Sequence, residues 1–215
     1  MAAFEQETTS PQLPEPTLRR LPWYLALLTS LRKRRVEYVS STRIADELNV
    51  DSSQIAKDLS FLNNKGKTRI GDAVVQLERV LREFLGFDLG HNAVILGAGS
   101  LGGALMRDKG LQRYGLNIVA GFDINPDIVG TRIGDIDVLP LESLAETVRS
   151  LNVAVGIITV PNEAAQATSD ICVATGITAI WNFTPVRIRV RDGIVIQNTS
   201  IYSNLAVIYN RMQSL

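Results

Sequence analysis

The chain has 215 residues, 46% of them hydrophobic, with equal numbers of acidic and basic side chains. This length and composition allow one large domain or two small ones with an ordinary apolar core. A single cysteine, Cys172, rules out an internal disulfide and suits a reducing compartment. No apolar stretch reaches the roughly 18 residues of a membrane span, and the N-terminus lacks the features of a signal peptide. We therefore expect a cytoplasmic protein.

The charge is unevenly distributed along the chain. Residues 17–71 contain eleven basic and five acidic residues, a net charge of +6. Residues 1–16 and residues 72–215 each carry a net charge of −3. A compact basic block of this kind favours nucleic acid as a partner of the N-terminal part.

The chain begins with a segment that has little to bury. Residues 1–16 are rich in Pro, Gln, Glu and Thr, which predicts a disordered lead-in. Leucines spaced three and four residues apart then predict a helix from near Thr17 to about Arg35, with Pro22 in or near its first turn. The basic run at 32–35 fits favourable charge at a helix C-terminus as well as phosphate contact.

Residues 42–63 predict a helix-turn-helix. A short helix over about 42–48, capped by Ser41 or Thr42, is followed by a turn at 49–51 and a second helix over about 52–63. Ala45 is small enough for the two helices to cross closely. The second helix would enter the major groove, and the residues near its start that would contact DNA are Ser52, Ser53, Gln54 and Lys57.

A basic, glycine-hinged segment over 65–71 predicts a hairpin, the wing of a winged helix. Lys65, Lys67 and Arg69 would then contact phosphates or the minor groove. A small helical domain that binds protein instead of DNA remains an alternative. A further helix over 74–87 would lead to a domain boundary near 85–91.

The centre of the chain is a glycine-rich turn that follows a short apolar run over 92–96. Its pattern, Gly-x-Gly-x-x-Gly, is typical of the first turn of a dinucleotide-binding domain. Gly97 would allow a sharp turn, Gly99 would let a pyrophosphate approach the backbone, and Gly102 would let the helix pack on the strand. The residues predicted to contact the phosphates are Gly97, Ala98, Gly99, Ser100, Leu101 and Gly102.

An acidic residue follows at the expected distance. Asp123 ends an apolar run over 119–122 and lies 21 residues after Gly102, close to the spacing of about 20 for a carboxylate that binds a ribose. A carboxylate there favours NAD(H), since it would repel the 2′-phosphate of NADP. The alternative is a structural turn with a surface aspartate.

Strands and helices alternate after residue 91, which predicts a mainly parallel sheet with helices on both faces. Ligands of such sheets bind beyond the carboxyl ends of the strands. Thr159, Val160, Pro161, Asn182 and Phe183 are therefore further candidates for cofactor contact. The predicted strands span 92–96, 117–122, 136–139, 153–159 and 177–183, and the predicted helices span 100–107, 141–150 and 162–175.

The C-terminal part predicts two more elements. Residues 187–196 suggest a hairpin with a two-residue turn at Asp192-Gly193, whose alternating arginines would form a solvated face. Residues 201–212 predict a helix with one apolar face. That face must dock on its own domain or on a partner subunit.

A winged helix, an NAD-type domain and a terminal apolar helix together resemble the Rex family of NAD(H)-responsive transcriptional repressors. The resemblance starts near residue 17 and is carried by residues 54–60, the basic wing, the glycine-rich turn, Phe122-Asp123, residues 159–166 and residues 182–185. It implies a homodimer whose terminal helix is swapped onto the partner. It also implies that NADH favours the DNA-free arrangement, whereas NAD⁺ permits repression.

The chain departs from the Rex pattern at three positions. It has Ala26, Asp108 and Ser200 where the family usually has arginine, tyrosine and aspartate. The resemblance assigns these family residues to the polar link between the cofactor state and the DNA-binding domain, so the switch would be altered here. Ala56 also replaces a usual arginine in the recognition helix, which would change the operator.

The sequence thus predicts four regions: a lead-in over 1–16, a winged-helix domain over 17–88, a Rossmann domain over 89–200 and a dimerisation helix over 201–215. No catalytic or metal-binding residue is predicted. A small NAD-dependent oxidoreductase is an alternative, but His91 precedes the first strand, at the wrong end for chemistry at the strand tips. A module that binds CoA or another adenylate, or a winged helix that serves only dimerisation, also remains open.

Overall fold

The computed structural model describes residues 13–62 and 72–213 and divides the chain into two compact units between Asp88 and Leu89. The N-terminal unit is mainly helical, and the C-terminal unit is built on a sheet. This confirms the predicted fold class. The predicted lead-in up to residue 12 and the wing residues Lys65, Lys67 and Arg69 lie outside the described residues.

Over residues 13–62 and 72–88, the N-terminal unit contains four helices and a two-stranded antiparallel sheet. They are α1 (Glu15–Lys33), β1 (Tyr38–Val39), α2 (Ser41–Leu48), α3 (Ser52–Ser60), β2 (Asp72–Ala73) and α4 (Val74–Phe84). Helix α1 begins at Glu15, inside the predicted lead-in over 1–16, so residues 15 and 16 are helical and not disordered. Pro22 therefore lies in the interior of α1 and not in or near its first turn, which corrects the prediction. Buried leucines of α1 and α4 form the centre of the core, to which Ile44 of α2 and Ile55 of α3 contribute.

The helix-turn-helix has local causes in the sequence. Ser40 caps α2 by accepting the Arg43 N–H, so the cap lies one residue before the predicted Ser41 or Thr42. Asn49 ends α2 in the left-handed conformation, with φ of 51°. Asp51 then caps α3 by accepting the Ser53 and Gln54 N–H groups. Two capped helices separated by a left-handed residue fix the turn at 49–51.

Two buried carboxylates tie α1 to its neighbours. Asp58 of α3 has no exposed surface and pairs with Arg20 of α1, with 2.6 Å between Nε and Oδ2. Glu78 of α4 pairs in the same way with Arg32 and accepts the Thr29 hydroxyl proton at 2.9 Å. Because buried carboxylates are stable only when paired, these contacts set how α3 and α4 lie on α1.

The C-terminal unit alternates strands and helices, as expected. Its strands are β3 (His91–Leu96), β4 (Leu116–Asp123), β5 (Arg132–Ile133), β6 (Ile136–Pro140), β7 (Val153–Ile158), β8 (Ala179–Asn182) and β9 (Val195–Asn198). Its α-helices are α5 (Ser100–Arg107), α6 (Leu144–Ser150), α7 (Ala165–Ala174) and α8 (Ile201–Met212), and short 3₁₀ turns cover Leu111–Tyr114, Leu141–Ser143 and Asn162–Ala164.

The seven strands form one sheet in the order β5-β6-β4-β3-β7-β8-β9. All neighbours are parallel except β5 and β6, which form a short antiparallel edge. The chain leaves β3 first toward β4 and later reaches β7 on the other side of β3. The strand order therefore reverses at β3, and ligands of open α/β sheets bind beyond the carboxyl end of that point.

The predicted hairpin over 187–196 is wrong. Residues 187–194 form no strand, and β9 pairs in parallel with β8, after the crossover of about a dozen residues that parallel pairing requires. The amide side chain of Gln166 on α7 bonds both the N–H and the carbonyl of Arg189. Ile188 is buried in the core below it. The alternating pattern therefore reflects an extended segment docked on α7, not a hairpin.

Helix α8 forms over the predicted residues but packs on little of its own chain. Its apolar side chains Ile208, Tyr209 and Met212 remain 50–62% exposed, and Leu205 is half-buried. No helix among the residues that the structure describes is long and apolar enough to cross a membrane.

The buried pair of Asp58 and Arg20 predicts how stability depends on pH. Burial acts to raise the pKa of Asp58, but hydrogen bonds from Arg20, Tyr24, Gln54 and Thr17 outweigh it and lower the pKa to about 2. A lowered pKa stabilises the fold above the unfolded value near 4, and this contribution disappears as the pH falls from about 4 to 2. Asp58→Asn should therefore lower the free energy of unfolding by about 3 kcal/mol at pH 7 and much less at pH 2.5.

Urea unfolding of the full chain at both pH values measures this difference. Asp135→Asn, which removes the exposed ion pair with Lys109, is the matched control and should change little. An equal loss at both pH values would show that the charge of Asp58 does not stabilise the unit.

Candidate functional site

The glycine-rich turn joins β3 to α5 at the point where the strand order reverses. Gly97 has φ of 95° and donates its N–H to the Phe122 carbonyl at 2.8 Å. The Thr159 hydroxyl, at the end of β7, donates to the Gly97 carbonyl at 2.7 Å. The turn is thus held by both neighbouring strands, so its backbone groups have a fixed direction before any ligand arrives.

The three glycines have different steric surroundings. A Cβ on Gly102 would lie 2.0 Å from the Gly97 carbonyl oxygen and 2.8 Å from the Thr159 Oγ1. A Cβ on Gly99 would meet nothing within 4 Å. Packing therefore explains Gly102, whereas no neighbour among the described residues requires a glycine at position 99. An open glycine at a helix start, where the first-turn N–H groups have no partner within the helix, fits a phosphate that approaches the backbone.

Asp123 lies where the sequence predicted it, at the end of β4 beside the turn. One carboxylate oxygen accepts the Ala98 N–H at 2.8 Å, and the other accepts the Asn125 N–H at 2.8 Å. The prediction missed these bonds. They give Asp123 a structural role in the turn, and each oxygen keeps lone pairs for a further donor.

Two cavities open at the carboxyl end of the sheet, and Val160 lines both. The first has a volume of about 270 Å³. Its walls are almost entirely apolar, and Asp123 is its one charged residue. Its lining comprises Leu96, Gly97, Phe122, Asp123, Ile124, Leu141, Val160, Pro161, Ala164, Ala167, Thr168 and Ile171. These walls fit a flat ring next to a group with hydroxyls, such as the adenine and ribose of an adenosine.

The second cavity has a volume of about 230 Å³ and lies beside the first turn of α5. Its lining comprises Leu101, Thr159, Val160, Asn162, Phe183, Thr184, Pro185, Ile201 and Tyr202. The Phe183 ring lies 4.7 Å from the Trp181 ring, centroid to centroid. The last two lining residues belong to α8, so the start of the terminal helix forms part of this wall.

The structure brings together most of the residues predicted to bind a cofactor. Asn182 differs from the others because its side chain is completely buried. Its amide donates to Val186 and Asn198 and accepts two bonds from Thr184, which uses all its hydrogen-bonding groups. Ile124 and Ile171 were not predicted as lining residues of the first cavity. Ile124 could have been predicted, because it directly follows Asp123.

The residues predicted to contact DNA lie on the first turns of α3. Ser52, Ser53 and Lys57 are exposed, and Gln54 is half-buried. The Ser53 hydroxyl also bonds the capping Asp51. In a helix-turn-helix that binds DNA, the N-terminal residues of the second helix contact base edges, and these four residues lie at that position.

At the three positions that depart from the Rex pattern, the side chains make a hydrogen bond to a nearby backbone N–H or have no polar atom. Ala26 is exposed on α1 and has no polar side-chain atom. Asp108 ends α5 and accepts the Gly110 N–H at 2.5 Å. Ser200 caps α8 by accepting the Ser203 N–H at 3.2 Å, as an aspartate would.

Two family models match the chain in the order of the two units. Residues 12–60 match a family described as "Putative DNA-binding protein N-terminus", and residues 90–186 match a family described as "CoA binding domain". The chain is 52% identical to the Redox-sensing transcriptional repressor Rex of Bacteroides fragilis, covering 96% of this chain and 94% of the relative. The chain belongs to the Rex family. The Rex of Porphyromonas gingivalis is also 52% identical, covering 99% of this chain and 98% of that relative.

Solved Rex structures have the same fold. The chain matches RSP in complex with β-NAD⁺ and operator DNA with a TM-score of 0.90, at 32% identity and 94% coverage of both chains. RSP in complex with β-NADH matches with a TM-score of 0.85, at 32% identity, with 94% of this chain and 95% of that chain covered. Both units of the chain therefore have counterparts in a Rex repressor.

The different surroundings of Gly102 and Gly99 predict effects of very different size on stability. Gly102→Ala should destabilise the C-terminal unit by about 3 kcal/mol, because the new methyl group meets backbone that cannot move without shifting β3. Gly99→Ala should change the free energy of unfolding by less than about 0.5 kcal/mol. Thermal unfolding of both variants measures this, and equal effects would contradict the close packing of α5 on β3.

Proposed function

We propose that the chain is a redox-sensing transcriptional repressor that binds operator DNA through its N-terminal unit and NAD(H) through its C-terminal unit. The observation that carries this proposal is the open Gly99 at the start of α5, because its neighbours Gly97 and Leu101 each line one of the two cavities and the chain belongs to the Rex family. RSP, a relative from this family, has been solved with β-NAD⁺, with β-NADH and with operator DNA. The chain is a repressor and not an enzyme, so the dinucleotide acts as a signal.

The site suggests how each part of the dinucleotide would bind. The pyrophosphate would lie against Gly99 and the N–H groups of Ser100 and Leu101. The adenosine would occupy the apolar cavity, where Asp123 would accept ribose hydroxyl protons. The nicotinamide would occupy the second cavity, beside Thr159 and Phe183. The buried side chain of Asn182 has no role in this proposal.

CoA is the second candidate ligand, because one matching family model is described as a CoA binding domain. The same glycine turn and apolar cavity suit any adenylate. CoA carries a 3′-phosphate, which the Asp123 carboxylate would repel if the ribose bound as proposed. Competition between NADH and CoA for the purified protein distinguishes the two ligands.

DNA would be bound by the exposed start of α3 and by the basic segment that follows it. Ser52, Ser53, Gln54 and Lys57 would face the major groove, and the residues predicted for the wing, Lys65, Lys67 and Arg69, would contact phosphates or the minor groove. A two-fold symmetric dimer would place two such helices on the half-sites of a pseudo-palindromic operator. A protein with this function would act in the cytoplasm.

The apolar face of α8 suggests how the dimer forms. A 12-residue helix with most of its apolar side chains exposed has little reason to be stable in water by itself. We infer that α8 docks on the partner subunit as a swapped helix. Because Ile201 and Tyr202 also line the second cavity, this helix would connect the cofactor site to the dimer.

The response to redox state would follow from linkage. NADH releases the operator only if it binds the DNA-free arrangement more tightly than the DNA-bound one. The resemblance assigns a polar link to three positions that differ here: Ala26 has no polar side-chain atom, Asp108 accepts the Gly110 N–H, and Ser200 caps α8. The coupling would therefore depend on other contacts, and α8 is the element placed to supply them.

Gly99→Ala tests the cofactor site without disturbing the fold. The added methyl group should weaken NADH binding about tenfold or more, about 1.4 kcal/mol, because the pyrophosphate can no longer reach the backbone. NADH fluorescence titration measures the affinity. Gly103→Ala is the matched control, because its methyl group meets nothing closer than 3.5 Å and lies outside the proposed contacts. Unchanged affinity in Gly99→Ala would remove this turn from the phosphate site.

Ile208→Glu tests the docking of α8. Ile208 is half-exposed within the chain, so a charge there costs little in a monomer but much in a dry interface. Dimer dissociation, measured by sedimentation over a range of concentrations, should become at least about tenfold easier. Ser203→Glu, on the opposite side of the helix, should leave the dimer intact. A dimer that resists Ile208→Glu would show that α8 is not its interface.

A further inference from the structure

The buried carboxylate of Asp58, on the recognition helix α3, accepts hydrogen bonds from four side chains. Its Oδ1 accepts from the Thr17 hydroxyl at 3.0 Å and from Arg20 at 2.8 Å. Its Oδ2 accepts from Arg20 at 2.6 Å and from the Tyr24 hydroxyl at 2.8 Å. These three donor residues all belong to α1. The carboxylate therefore fixes the rotation of α3 about its own axis relative to α1.

The fourth residue that donates to Asp58 is one predicted to contact DNA. Gln54 lies one turn earlier on α3, and its Nε2 donates to Oδ1 of Asp58 at 2.8 Å. An ionised carboxylate only accepts hydrogen bonds, so it must face the NH₂ group of the glutamine and not its carbonyl oxygen. Asp58 stays ionised at neutral pH because its pKa is about 2. The orientation of the Gln54 amide is thus determined by charge.

An amide held in this way retains one N–H and its carbonyl oxygen for another partner. In the major groove, adenine presents an acceptor at N7 and a donor at N6, which match that pair. Guanine presents two acceptors and cytosine presents a donor alone, so neither matches both groups. Gln54 is half-buried in the first turn of α3, between the exposed Ser53 and Lys57. First-turn residues of a recognition helix are those that reach base edges.

We propose that Gln54 reads an adenine in each operator half-site, and that Asp58, anchored by Arg20 and Tyr24, is the positioning residue that orients its amide. This inference rests on the proposed DNA-binding function. It assigns base specificity to one side chain. It also assigns the buried cluster a task beyond stability, since the same carboxylate that joins α3 to α1 presents the reading group.

The test is selection of binding sites from a pool of duplexes with randomised half-sites, using the full-length protein. The wild type should enrich an adenine at one position of each half-site. Gln54→Ala should lose the preference at that position alone, by about tenfold or more, and keep the remainder of the consensus. Gln76→Ala, an exposed glutamine on α4, is the matched control and should leave the consensus unchanged.

Asp58→Asn separates positioning from stability. The amide that this substitution introduces can donate as well as accept, so Gln54 can turn over, and the adenine preference should weaken while contacts to phosphates remain. A uniform loss of affinity with an unchanged consensus would overturn the positioning role. A Gln54→Ala consensus identical to that of the wild type would overturn the readout itself.

The selection experiment distinguishes failure of the proposed DNA-binding function from failure of this inference. If the wild type enriches no sequence at all, the proposed DNA-binding function fails and this inference fails with it. If the wild type enriches a consensus that lacks a Gln54-dependent adenine, the function holds and only this inference is overturned.

Discussion

The C-terminal unit depends on the close approach of α5 to β3. Gly102 lies so near the Gly97 carbonyl that no side chain fits between them, and the Thr159 hydroxyl holds the same carbonyl from the side of β7. This contact fixes where α5 begins and therefore where its free N–H groups point. The strands β3, β4 and β7 all end beside this contact. The two cavities lie there and share Val160 in their walls. This backbone geometry supports the proposed phosphate site at the start of α5.

The N-terminal unit achieves a comparable fixed geometry by electrostatics. A buried carboxylate is costly unless its lone pairs are satisfied, and Asp58 is satisfied by donors from two helices. Burial, together with the hydrogen bond to Asp58, raises the pKa of Tyr24 to about 12, so its hydroxyl remains a donor at any physiological pH. Hydrogen bonds to the Asp58 carboxylate have specific directions and therefore fix the rotation of α3. An apolar contact alone would allow α3 to rotate about its axis.

Much of this architecture could be predicted from the sequence. Glycines at 97, 99 and 102 form a local pattern that can be recognised without knowing which distant residues pack on them, and the spacing to Asp123 follows from one βαβ unit. The helix-turn-helix could be predicted for the same reason, since caps and turns are local. Most strands were predicted to within one or two residues because buried parallel strands are nearly continuous apolar runs.

The errors arose where long-range contacts decide the structure. The alternation over 187–196 has the period of a strand, but Gln166 on α7 binds the backbone of Arg189 and residues 187–194 pair with no strand. The partners of Asp58 lie 34 to 41 residues away on α1, apart from Gln54, and no local pattern indicates them. The hydrogen bond from Ala98 to Asp123 was not predicted, because it depends on how β4 lies beside the turn.

The measurement that tests the account most directly is the binding of a promoter fragment from a redox-regulated gene to the purified full-length protein, titrated with NADH and, separately, with NAD⁺. The account predicts that NADH releases the DNA and that NAD⁺ does not, despite Ala26, Asp108 and Ser200. DNA binding that ignores both dinucleotides would contradict the account, since it would leave a DNA-binding protein whose C-terminal unit does not report redox state.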